Sequence, residues 1–236
     1  RSYAVGDVQQ CTHSKVLAID GAVEEVKRAV QELGFWGISV HPDPIYGRIL
    51  YDPEVEPFWE ECERQNVSVG IHGTSTGVTQ DDIGRKLFSH PAGRIVSRSI
   101  SFPIPLMWSL AGVITSGVIE RHPGLRIAFL EGNAGWLPWF LYRLDELYHK
   151  HGYPRLEKDP TDYFLSNCFI GTDVDEFGVA DVINRLGDDN IVISTDYPHF
   201  DSAFPNAMDE FLELEISDEN KRKILWDNCA RYYGQA

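Results

Sequence analysis

The chain of 236 residues is short of positive charge. Its 21 lysines and arginines face 36 aspartates and glutamates, a formal net charge of −15. Without a basic face, nucleic acid and anionic membranes are disfavoured as partners. Long apolar runs are missing as well. None approaches the ~20 residues that cross a bilayer, and no charged segment followed by an apolar one opens the chain. Cysteine is sparse. Cys11, Cys62, Cys168 and Cys229 lie far apart, and none forms Cys-x-x-Cys. That removes zinc knuckles and thioredoxin-type motifs. Cys62 and Cys229 fall in helix-like patterns and Cys168 in a strand-like one, so free buried thiols in a reducing, cytoplasmic compartment are expected. The first strand–helix turn lacks Gly-x-Gly-x-x-Gly, and there is no Walker-type lysine motif. Nucleotide-binding folds lose support accordingly.

What is there reads as a globular α/β chain. Hydrophobic residues make up 43% and charged ones 24%, which argues against disorder. Strands are expected over residues 3–10, 35–41, 67–72, 125–131, 167–173 and 190–196. Most are continuous apolar runs, the pattern of strands covered on both faces. Between them, Asp20 caps a helix with the stripe Val23, Val26, Val30 and Leu33, and Gly34 stops it. Further helices are expected over 53–65, 107–121, 133–149 and 176–186, and a last one is capped by Ser217. His122, before Pro123, reads as a helix stop that complements the helix dipole. The longest irregular stretch, 73–105, has the Ser/Thr/Gly/Pro content of a lid or binding loop. Strand–helix alternation implies parallel strands with right-handed crossovers, in either a doubly wound sheet or a (β/α) barrel.

Polar residues decide between the two. Five of the six expected strands end in a metal ligand or acid–base group: His41, His72, Glu131, Asp173 and Asp196. A barrel gathers all strand C-termini at one mouth, whereas an open sheet strings them along an edge. A (β/α) barrel is therefore expected. His72 and Asp196 each close an apolar run, and imidazole with carboxylate suits Zn, Fe or Mn. Glu131 is a ligand or a base acting on metal-bound water. His199, one turn past Asp196, is a supporting or acid–base group. His41 is a candidate substrate contact, and Arg48 and Arg94 are candidates for a substrate carboxylate. Asp173 reads best as the cap of the next helix. Trp108, Trp136, Trp139 and Phe102 are read as core, with Trp136 assigned to an apolar substrate wall. The helix expected from Asn133 has free N–H groups that could hold an anion. His149 and His151 fall at a helix end and are read as solvated. Glu131 and Asp196 alone would suit a glycosidase, which leaves the histidines without a use.

A family resemblance rests on longer strings. Gly117 to Trp139 reads Gly-Val-Ile-Glu-Arg-His-Pro-Gly-Leu-Arg-Ile-Ala-Phe-Leu-Glu-Gly-Asn-Ala-Gly-Trp-Leu-Pro-Trp, followed by Tyr163-Phe164 and by Ser194-Thr-Asp-Tyr-Pro-His199. With Val69-Gly-Ile-His-Gly73 and Asp227-Asn-Cys-Ala-Arg-Tyr-Tyr-Gly234, this resembles the amidohydrolase-related group of metal-dependent TIM barrels over about residues 23–234. That group includes aminocarboxymuconate-semialdehyde decarboxylase and related carboxy-lyases. The resemblance implies a metal-dependent hydrolase or non-oxidative decarboxylase of a small carboxylated, cyclic or unsaturated substrate. It implies one divalent metal, zinc first, with iron or manganese as alternatives. His72 would be a ligand on the family's strand five. Asp196 would be the strand-eight aspartate, a ligand or proton carrier. Where the family's strand six often ends in histidine, this chain has Glu131. That makes the site richer in oxygen and raises an iron-dependent oxygenase as an alternative. The family's strand one carries His-x-His, and none of the six strands matches it. By that count they are strands three to eight, so the resemblance implies that residues 1–236 are a single (β/α)8 TIM-like barrel domain, N-terminally incomplete by its first one or two strands. A catalytically inactive binding or regulatory homologue is the third reading. The partners expected are a small-molecule substrate and, over an open barrel edge, a second copy of the chain.

Overall fold

The computed structural model describes residues 6–7, 19–44, 48–73, 89–151, 156–199 and 202–235. Six parallel strands form one sheet in chain order: β1 Gly6–Asp7, β2 Gly37–Val40, β3 Ser68–His72, β4 Ile127–Leu130, β5 Cys168–Thr172 and β6 Ile191–Ile193. Each pairs with the next, so the order never reverses as it does in a doubly wound sheet. This is the winding of a (β/α) barrel wall, as expected. Every strand falls within its expected window; of the first window, only Gly6–Asp7 lies among the described residues.

Register divides the sheet into two faces. Ile71, Phe129, Ile170 and Ile191 are aligned across β3 to β6, and all belong to the main core. Helices Pro103–Thr115, Leu137–His151 and Val179–Leu186 cover that face with Leu106, Leu110, Leu137, Leu141, Val179 and Val182. On the opposite face Gly70, Ala128 and Phe169 are aligned. The C-terminal helix Asn228–Tyr232 closes it from below, with the Tyr232 ring 5.4 Å from that of Phe169. Arg126 donates to the Tyr232 carbonyl at 2.8 Å, and so does the Ser68 hydroxyl. Gly70 must be small here, because a Cβ would meet Leu130 Cδ1 at 2.9 Å and the Tyr232 hydroxyl at 3.4 Å. Side chains alternate along a strand, so His72 stands on this same face at the C-terminal rim.

Several expectations are corrected. The stretch 73–105 is not wholly irregular: helix Gly93–Ser101 lies within it and helix Pro103–Thr115 begins in it. The helix expected over 107–121 is two helices, broken where Gly117 takes φ 79° before Val118–Arg121. The helix expected from residue 133 starts only at Leu137. Pro160–Asn167 and Ala207–Glu213 are further helices. The first of them buries Tyr163 and Phe164, with Pro160 at its start. Asp20 sits inside the first turn of Ile19–Lys27. The Ser217 cap is present, as a reciprocal pair with Asn220. Trp139 is not core, being 60% exposed. Cys62 and Cys168 are free and buried, and Cys229 is free and half-buried.

His122 does more than end its helix. It is buried, with Nε2 3.0 Å from Glu56 Oε1 and Nδ1 3.1 Å from Glu63 Oε2. Arg121 grips Glu56 with two parallel bonds of 2.6 and 2.7 Å. The cluster ties helix Glu56–Arg64 to the turn that feeds β4. The Arg121 guanidinium, with His122 behind it, holds the Glu56 carboxyl below the ordinary 4.5 despite partial burial. A lowered carboxyl pKa contributes stability above the unfolded value and loses it as pH falls through the folded one. Glu56→Gln should therefore have a lower urea midpoint than the wild type at pH 7. The gap should close as pH drops below 4.5 and the wild-type carboxyl takes up its proton. A gap that stays constant down to the acid limit would refute the ion-pair account.

Candidate active site

Four of the expected site residues form one connected chain. His72 Nε2 lies 3.0 Å from Glu131 Oε2. Glu131 Oε1 lies 3.6 Å from His199 Nδ1, and that nitrogen is 2.8 Å from Asp196 Oδ1. Ligand atoms of Glu131, Asp196 and His199 all fall within 4.8 Å of one another. These residues come from the ends of β3 and β4 and from the turn after β6, so the winding of the sheet brings them to one rim.

Backbone conformation completes the convergence. Leu130 faces the same side as Ala128 and His72, so by strict alternation Glu131 would point to the helix-covered face. It instead takes φ 63°, which turns its carboxylate back to His72. Asp196 takes φ 55°, and the Ser194 hydroxyl accepts its N–H at 3.1 Å. The His199 N–H reaches the Asp196 carbonyl at 2.9 Å, closing a tight turn. Left-handed backbone at a residue with a Cβ is uncommon and costs about 1–3 kcal/mol. Two such positions among four site residues mark a rim held by its surroundings.

His72 shows what the site can hold. Nδ1 lies 2.8 Å from the Gly73 carbonyl, and Nε2 faces the Glu131 carboxylate. Both ring nitrogens thus meet oxygen acceptors. One solution is a second proton: the Glu131 contact raises the His72 pKa against the lowering effect of burial, with smaller help from the Gly73 carbonyl and Asp196. The other is a cation between Nε2 and the carboxylate, with Nδ1–H donating to the carbonyl as metal-bound histidines commonly do. The donors around it are two carboxylates and a second imidazole, a set that fits a divalent first-row ion.

The neighbouring loops are tied to this rim. Asn133, at φ 57°, donates to Asp173 Oδ2 at 2.7 Å. Asp173 was expected to cap the next helix, but its carboxylate is used here. Burial first, then the Glu176 charge, pushes its pKa up. The N–H groups of Ala134 and Gly135, expected to be free for an anion, are occupied by the Glu176 carboxylate at 2.8–3.0 Å.

The three residues assigned to substrate are less closely drawn in. His41 is half-buried just past β2. Arg48 pairs with Glu54 at 2.7 Å on the surface. The indole N–H of Trp136 is taken by the Gly132 carbonyl at 2.8 Å, and its ring meets Phe140 edge-on at 5.6 Å. Arg94 is exposed on helix Gly93–Ser101. The Trp108 N–H binds the Pro42 carbonyl at 3.1 Å. His149 and His151 are exposed, as expected. Gly73-Thr-Ser-Thr-Gly77 also spells Gly-x-Ser-x-Gly, but 74–88 lie outside the described residues.

Known proteins are similar in sequence and fold. The chain is 29% identical over 235 residues to γ-resorcylate decarboxylase of Rhodococcus jostii, covering 91% of this chain and 67% of that one. It is 26% identical over 235 residues to 2-amino-3-carboxymuconate-6-semialdehyde decarboxylase of Dictyostelium discoideum, covering 95% and 58%. The chain thus spans between half and about two thirds of these relatives' length. The crystal structure of a 2,6-dihydroxybenzoate decarboxylase bound to 2,6-dihydroxybenzoate superposes with a TM-score of 0.73 at 26% identity, over 92% of this chain and 67% of that one. A manganese-bound dihydroxybenzoic acid decarboxylase from Polaromonas sp. JS666 shares the fold at 23% identity, with a TM-score of 0.70 over 92% and 66%. These relatives are named for decarboxylation, not oxygenation. Residues 4–235 match the amidohydrolase family Amidohydro_2, and the chain belongs to that family.

Proposed function

We propose that the chain forms most of the barrel of a metal-dependent, non-oxidative decarboxylase acting on a small hydroxylated aromatic or unsaturated carboxylate. The observation that carries this is the continuous His72–Glu131–His199–Asp196 chain at one rim, in a sequence whose relatives are decarboxylases. His72, Glu131 and Asp196 would hold a divalent cation. With two carboxylates among the donors, manganese or iron suits the set at least as well as zinc. When bound, the cation supplies positive charge that binds and polarises substrate oxygens. Without it, Glu131, Asp173 and Asp196 would repel a carboxylated substrate.

The chain's own residues would then manage one proton. Loss of CO2 breaks the bond between the ring and the carboxyl carbon, and the ring carbon takes up a proton in its place. Asp196 would carry that proton, and His199, 2.8 Å away, would orient it and replenish it. Glu131 would keep His72 aligned through the 3.0 Å contact, with its other oxygen 3.6 Å from His199. His41 and Trp136 are assigned to the substrate's flank, and Arg48 to its outer edge. We read residues 1–236 as one domain. Its thiols suit a reducing, cytoplasmic setting, and we propose a homodimer as its assembly. No helix among the described residues is long and apolar enough to cross a membrane.

The test is CO2 release from 2,6-dihydroxybenzoate, and from 2-amino-3-carboxymuconate semialdehyde, by protein of known metal content. Activity should vanish on chelation and return with manganese or zinc, and elemental analysis of the active form decides which ion is native. Undiminished turnover after complete removal of metal would refute the reading. Stoichiometric metal with no turnover of any carboxylated substrate would favour an inactive homologue.

A further inference from the structure

Glu176 lies in the turn between β5 and helix Val179–Leu186, outside the groups assigned to chemistry. Its carboxylate accepts the Ala134 N–H at 2.8 and 3.0 Å, the Gly135 N–H at 2.8 Å and the Thr172 hydroxyl at 3.0 Å. The loops it joins touch. A Cβ on Gly135 would come 3.3 Å from Glu176 Oε1, and one on Gly178 would come 3.4 Å from the Gly135 Cα. A second strut, Asn133 to Asp173 at 2.7 Å, joins the same two loops. The clasped segment begins at Glu131, and both Glu131 and Asn133 are in the left-handed region. That conformation needs external support in residues with a Cβ.

We propose that Glu176 is a positioning residue for Glu131: by filling the Ala134 and Gly135 N–H groups it holds the left-handed turn that aims the Glu131 carboxylate at His72 and His199. Three features favour this over simple solvation of two N–H groups. Both carboxylate oxygens are engaged, so the group has one orientation. The glycines bring the loops into contact where a bridging water would hold them apart. The segment that is fixed contains the turn on which the His72 contact depends. The inference rests on the proposed function only in that Glu131 belongs to the metal and proton machinery.

The test uses Glu176→Ala and the isosteric Glu176→Gln in the full chain, read in two ways. In metal-free protein at fixed pH, the ring nitrogen resonances of His72 should shift toward those of Glu131→Gln, because the carboxylate partner has moved. Manganese affinity by calorimetric titration should fall about 10–100-fold in Glu176→Ala, and less in Glu176→Gln. Excess formate should restore part of it in the alanine variant by re-entering the emptied N–H pair. A merely structural role would lower Tm and leave both readouts unchanged wherever the protein is folded. Wild-type resonances and affinity in the folded variants would overturn the proposal. If Glu176→Ala does not fold, Glu176→Gln decides. If the wild type binds no manganese, the metal reading fails, and the His72 resonances still decide for the clasp.

Discussion

Exchanging Asp196 for asparagine should lower kcat by about 10²–10⁴-fold, the usual worth of a positioned acid–base group, while leaving the fold intact. Asparagine has the same shape and is among the residues that best tolerate φ near 55°. The backbone bonds to Ser194 and from His199 need no carboxylate. What is lost is a group able to carry a proton, together with a negative charge 2.8 Å from His199 Nδ1. The amide can still meet that nitrogen as a hydrogen-bond partner, so the rim stays assembled. Steady-state kinetics with CO2 detection reads the effect, a thermal melt within a degree or two of wild type shows that the fold is intact, and metal content measured on the same sample separates a lost ligand from a lost proton carrier. Full activity in a folded Asp196→Asn protein would remove Asp196 from the mechanism.

The parts of this site that could be read from sequence are those fixed by the sheet. Ile191-Val-Ile and Val69-Gly-Ile are apolar because both sheet faces are covered, so the next ionisable residues, His72 and Asp196, stood out as rim positions. Glu131 was legible as a strand end, but its φ of 63° was not. Nothing in Phe129-Leu-Glu-Gly-Asn states that alternation breaks one residue past the strand. The Glu176 contact was illegible for another reason. It joins positions 41 and 42 residues apart, and each partner has an ordinary local reading, one as a helix-start amide and the other as a surface acid. Helix Gly93–Ser101 was missed because its apolar residues do not point inward: Ile95 is 76% and Val96 40% exposed, while Ser101 is buried. Its apolar side is not turned to the core, so no core-facing stripe marks it out within a stretch rich in Ser, Thr, Gly and Pro. His122 shows the converse. Its place at a helix end was right, and its two carboxylate partners, 59 and 66 residues away, could be seen only in three dimensions.

The largest effect on stability is expected at Trp59, in the helix layer behind β2 and β3. Trp59 is fully buried, packs edge-on against Phe58 at 5.1 Å, and donates its indole N–H to the Leu50 carbonyl at 2.8 Å. Helix Glu56–Arg64 offers Phe58, Trp59 and Cys62 to the core and packs against helix Ile19–Lys27. Trp59→Ala removes the largest side chain of that layer. Such truncations cost about 3–5 kcal/mol, through lost transfer energy and the cavity left behind. The Leu50 carbonyl also loses its partner, and a domain of this kind has only about 5–15 kcal/mol in all. The variant should therefore unfold at a much lower urea concentration than wild type, with an unchanged slope if the denatured state is unaffected. Trp59→Phe keeps most of the ring but not the donor, and should fall between the two, about 1 kcal/mol of its loss coming from the hydrogen bond. Because the hydrogen bond and ring contact of Trp59 go to Leu50 and Phe58 rather than to rim residues, the folded fraction of Trp59→Ala should retain wild-type metal affinity, and that separates damage to the scaffold from damage to the site. An alanine variant within about 1 kcal/mol of wild type would mean that the cavity collapses around the missing indole, and that the helix layer is looser than its burial implies.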